Sequence, residues 1–184
     1  MTNRRTFLIS TASLTALLAT TIIPSLSKKA GASEWEKEND FAIGNPNAPV
    51  SLIEYFSLSC PHCRDFHIKT FPKLKMHYID TGKVRFISRD FPLNRPALDA
   101  AILAQCSGPE RYFAFIETLF HTFDKWTRST DYLQSLKQLG QLGGVSNETF
   151  ETCLDGGSIE TNIFNIMLEG QKKFAVESTP TFII

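Results

Sequence analysis

Cys60-Pro61-His62-Cys63 is the segment of this 184-residue chain whose residue types and spacing converge on one chemistry. Two cysteines separated by two residues at a helix start close a small disulfide without unfolding anything, because the first turn brings the sulfurs together. Position makes the pair unequal. Cys60, at or just before the N-cap, points at backbone N–H groups that lack partners, and the helix dipole favours a negative sulfur there. Pro61 suits the first helical position, where its missing N–H is not needed. His62 adds a donor or a positive charge that lowers the Cys60 pKa further. A stabilised thiolate departs readily, so the reduced pair is favoured over the disulfide and such a site oxidises other thiols. Three other readings compete. Zinc requires a second cysteine pair or paired histidines, and His62, His67, His77 and His121 offer no such set. Covalent haem requires His directly after the second cysteine, yet position 64 is Arg. A purely structural bridge stays open beside the redox reading.

The flanking pattern predicts what positions the cysteines. Residues 50–57 form a mostly apolar run rich in β-formers after the turn cluster 44–49, and they read as a central strand. From 61 to 80, Phe66, Phe71, Leu74 and Tyr78 keep a rough helical spacing until Gly82, with a kink expected at Pro72. Residues 84–88 alternate as a second strand, ending near Phe91-Pro92. From 96 to 174 only helical stripes occur, the strongest being Tyr112, Phe115, Ile116, Leu119, Phe120 and Phe123. Residues 179–184 return to β character. Strand, cysteine pair, helix, strand, helical insertion, strand is an α/β order with the pair at the carboxyl end of a strand.

Composition sets the class. Hydrophobic residues make up 42% of the chain and 15 are Phe, as in a globular domain. Net charge is zero, but Arg4, Arg5, Lys28 and Lys29 lie at the start, leaving 15 basic against 19 acidic residues afterwards. A nucleic-acid footprint is not expected of such a surface. The basic head, the apolar residues 7–23 and Ala30-Gly31-Ala32 read as an export signal over 1–32, removed to leave a mature domain over 33–184. An uncleaved anchor is the alternative, although six hydroxyl residues and Pro24 suit a bilayer poorly. Arg4-Arg5 also resembles a twin-arginine signal. All four cysteines fall after that signal, and an even count in an exported chain favours pairing.

Residues 43–50, Glu54-Tyr55-Phe56-Ser57, the Cys60–Cys63 segment and Thr179-Pro180-Thr181-Phe182 together resemble the DsbA family of periplasmic thiol oxidases in the thioredoxin superfamily. The resemblance, not the residues alone, implies a thioredoxin-like fold with a helical insertion at about 95–174 and a strongly oxidising pair. It implies that Pro180 is a cis-proline facing the pair, with Thr179 offering backbone hydrogen bonds to an extended substrate. It further implies that Glu54 is a buried acid relaying a proton to or from Cys63. Some relatives carry a second disulfide, so Cys106 and Cys153 either bridge the insertion or remain buried thiols. No organic cofactor or metal is implied. The expected partners are reduced, unfolded proteins and a DsbB-like membrane reoxidant, and the expected protein is a periplasmic monomer. An isomerase or reductase on the same scaffold is the nearest rival; a non-catalytic metal-binding or truncated protein is the next. A thioredoxin-like domain continues past the cis-proline strand with a further strand and a covering helix, and both are expected to be missing from a chain that stops at Ile184.

Overall fold

A computed structural model describes residues 35–184, so the export signal expected over 1–32 lies outside the described residues. Four strands build one sheet: β1 (Phe41–Ile43), β2 (Val50–Phe56), β3 (Val84–Asp90) and β4 (Thr181–Ile183), in the order β1-β3-β2-β4. β2 runs parallel to β3 and antiparallel to β4, while β1 is antiparallel to β3. A parallel β2–β3 pair needs a crossover, which residues 61–79 supply as one helical run. Side chains alternate across β2. Ile53 and Tyr55 join Ile87 and Val176 on one face, whereas Leu52 and Phe56 enter the clusters on the other.

The crossover combines α1 (Pro61–Asp65), a π-helical turn (Phe66–Thr70), α2 (Phe71–Leu74) and a second π turn (Lys75–Ile79). The kink expected at Pro72 is taken up by widening: the Phe71 N–H reaches back five residues to the Phe66 carbonyl just ahead of the proline. The buried face also differs from the predicted stripe. Cys63, His67 and Ile79 are buried, whereas Tyr78 is 49% exposed.

Six helices form the rest: α3 (Arg95–Cys106), α4 (Pro109–His121), α5 (Phe123–Thr127), α6 (Tyr132–Leu142), α7 (Asn147–Asp155) and α8 (Ser158–Phe174). Three have side-chain caps, with Asn94 accepting from the Ala97 N–H, Asp131 from Gln134 and Ser146 from Thr149. α3 is buried on every side from Ala97 to Ala104, which makes it the centre of the helical layer. Cys106 at its end is bonded to Cys153 of α7, with an S–S distance of 2.01 Å and Cα atoms 6.2 Å apart. α8 leaves that layer along its length. Its Ile166, Met167 and Phe174 pack on the Ile53–Tyr55 face of the sheet, opposite the crossover helix.

One strand departs from the sequence reading: β1 is three residues long, too short for a periodic signal, and among the described residues pairs with β3 alone. β3 ends at Asp90, close to the end expected near Phe91-Pro92, and its last two residues carry buried charged side chains. Arg89 donates to Asp40 at 2.8 Å and to the Tyr55 hydroxyl at 2.8 Å. No helix among the described residues is long and apolar enough to cross a membrane.

Candidate active site

β2 ends at Phe56, and three residues carry the chain to Cys60 at the N-cap of α1. The Cys60 N–H donates to the Ser57 carbonyl at 3.0 Å, and Pro61 occupies the first helical position. Ser57 Oγ accepts from the Leu93 N–H at 3.3 Å, joining this turn to the loop after β3. Antiparallel pairing of β4 with β2 sets Thr181 beside Tyr55, so residues 179–180 lie next to the cysteines. The Thr179–Pro180 bond is cis, and the Cys60 thiol donates to the Thr179 carbonyl at 3.3 Å.

The two thiols are held in opposite ways. Burial works to raise the Cys60 pKa, but Thr179, the N–H groups of Cys63 and His62, and the Cys63 thiol outweigh it, so the value falls below that of an ordinary thiol. Cys63 is fully buried, and that burial drives its thiol far above the ordinary value despite Ser57 and Thr179. A thiolate at Cys60 beside a protonated Cys63 is the arrangement of an attacking sulfur and a resolving one.

His62 is exposed, and among the described residues its imidazole makes no hydrogen bond or ion pair; what reaches Cys60 is its main-chain N–H. Glu54 is fully buried; its Oε2 meets His67 Nε2 at 2.9 Å, and its Oε1 has no partner. Cys106 and Cys153 lie in the helical layer and not in this site. Two groups next to it have no role in the sequence reading: His67, which enters there only as a candidate metal ligand, and Asp90, the last residue of β3. Asp90 accepts from Gln105 at 2.7 Å and from Tyr112 at 3.2 Å, while burial lifts its pKa to about 6. Arg64 anchors the site to the helical layer through Asp124 at 3.7 Å and by stacking over Phe123 at 4.9 Å. Among the described residues no group of three or more His, Cys, Asp and Glu side chains converges as a metal site would.

A dithiol at a helix start, opposite a cis-proline loop on a mixed sheet, defines the thioredoxin-fold class of thiol–disulfide exchange proteins. A thioredoxin family profile matches residues 36–184. A putative protein-disulfide oxidoreductase of Rickettsia bellii is 39% identical over 150 residues, covering 80% of this chain and 57% of the relative. Disulfide bond formation protein D of Bacillus subtilis is 26% identical over 152 residues, covering 77% of this chain and 66% of that protein. The crystal structure of Wolbachia pipientis alpha-DsbA1 aligns with a TM-score of 0.75 at 37% identity, covering 80% of this chain and 75% of that one. The chain belongs to the DsbA family of thioredoxin-fold proteins. It spans little more than half the length of the rickettsial relative it matches.

Proposed function

We propose that this protein is an exported thiol:disulfide oxidase that introduces disulfides into reduced, unfolded proteins. The single observation that carries the reading is the opposed treatment of the two sulfurs, with Cys60 favoured as thiolate and Cys63 as thiol. In the oxidised form a substrate thiolate attacks Cys60 Sγ, the Cys60–Cys63 bond breaks, and its electron pair leaves on Cys63. A second substrate thiolate then attacks the substrate sulfur of the mixed disulfide and expels Cys60 as a stabilised thiolate. Two electrons pass to the protein pair and one disulfide forms in the substrate. Glu54 moves the Cys63 proton, and Thr179 with Pro180 presents main-chain groups to the extended substrate. The Cys106–Cys153 bond acts as a staple of the helical layer. Export to the periplasm is supported by the basic head and apolar stretch of residues 1–32, and reoxidation falls to a DsbB-like membrane partner. The domain acts as a monomer.

Equilibration of residues 33–184 with glutathione buffers, read by alkylation and mass, tests the reading. A pair that stays reduced until the buffer is strongly oxidising is the expected result. A pair that stays oxidised in reducing buffer indicates a reductant or a structural bond and overturns it.

A further inference from the structure

The exchange reaction leaves Cys63 with a problem of protons. Each time it departs as a thiolate it must gain one, and each time it re-forms the disulfide it must lose one. Cys63 is fully buried, and it interacts with Cys60 and Thr179, the groups that substrate would meet. Between residues 61 and 70 the buried positions are Cys63 and His67. Four residues apart on one helical run, they share its inward face. His67 in turn meets Glu54 at 2.9 Å, and the other Glu54 oxygen is buried with no partner.

His67 is also the outer member of that pair. Its side chain keeps 5% exposure where Glu54 has none, and it lines a groove of about 290 Å³ between the crossover helix and α4. Ile68, Phe71, Pro72, Glu117 and His121 line the same groove. The imidazole is held in place by rings, stacking on Phe120 at 4.6 Å and lying 5.1 Å from Phe71 and 5.7 Å from Phe56. Tyr112 of α4, bonded to Asp90 of β3 at 3.2 Å, lies near Glu54; at the groove the titratable groups are Lys75, Glu117 and His121.

We propose that His67 is a positioning and relay residue that carries the Cys63 proton between Glu54 and water in the groove. The inference rests on the exchange reading above and names the route it requires. When the active disulfide opens, Cys63 Sγ takes a proton through Glu54, Glu54 is resupplied from His67 Nε2, and the imidazole regains its proton from groove water. Reoxidation runs the same transfers backwards. The route avoids the face that a bound substrate covers.

The two steps of oxidation by oxidised glutathione separate the claims. Cys60 first forms a mixed disulfide with glutathione, and Cys63 then displaces it; both species are counted by acid quench, alkylation and mass. In His67→Gln, which keeps a hydrogen bond to Glu54, the first step keeps its rate and the second slows at least about tenfold. In His67→Ala, added imidazole entering the enlarged groove restores the second step. A second step of normal rate in His67→Gln overturns the proposal, as does absence of imidazole rescue in His67→Ala. Failure of the unaltered protein to form the Cys60 adduct overturns the exchange reading itself.

Discussion

A thiol as deeply buried as Cys63 holds its proton, while Cys60 gives its own up because Thr179 and the first N–H groups of the helix face it. The consequence is a division of labour that single substitutions expose. Cys60→Ser abolishes oxidation of a reduced model protein, and Cys63→Ser accumulates mixed disulfides on Cys60 visible by non-reducing electrophoresis; normal turnover in Cys63→Ser would reverse the assigned roles. His62→Ser is milder. Its main-chain N–H survives, so the pH midpoint for alkylation of Cys60 stays below that of a free cysteine, and a return to the ordinary thiol value would make the imidazole the tuner. The residues at short spacing were readable because a helix start alone decides how they meet. Glu54 stood out as an acid inside an apolar strand. His67 did not, since its partner is thirteen residues away and only the β2-to-helix packing joins them.

Elements carry the next level, and α8 shows how one helix serves two layers. It begins among the insertion helices and ends on the sheet, where Gly170 allows the approach: a Cβ there would lie 2.6 Å from the Tyr55 ring. Gly170→Ala should push that ring, which also holds Arg89, and cost about 1–3 kcal/mol in denaturant unfolding. An unchanged midpoint would mean that the helix shifts freely. The bond between α3 and α7 is a second element-scale tie. Closing a 47-residue separation constrains the unfolded chain, so replacing both Cys106 and Cys153 by Ala should lower stability by about 2–4 kcal/mol while Cys60 still forms its glutathione adduct. Loss of the adduct in a folded double variant would instead couple the two pairs. The helical stripes were legible because burial on one face imposes their period, and so was the strand before the cysteines. The π turns were not, because a wider winding keeps nearly the same apolar spacing, and β1 was hidden by its three-residue length.

At the scale of the whole molecule, the sheet and the helical layer meet at the end of β3, and the charge placed there makes stability depend on pH. Asp90 reaches from the sheet to Gln105 of α3 and Tyr112 of α4. Burial raises its pKa from 3.8 to about 6, against the pull of both hydrogen bonds. The folded chain therefore keeps a proton that the unfolded chain releases between about pH 4 and 6. Below that window both states are protonated and Asp90 costs nothing; through it stability falls as pH rises, and above it the loss is complete, about 3 kcal/mol for a shift of this size. The direction is opposite to that of a carboxylate held ionised in an ion pair. Asp90→Asn keeps an oxygen for Gln105 and Tyr112 but carries no charge. Urea unfolding should find it more stable than the unaltered chain by about 1–3 kcal/mol at pH 7 and equal to it near pH 4. A difference of the same size at both values would show that Asp90 does not change charge across that range, and that the joint between the layers holds a fixed hydrogen-bond network instead.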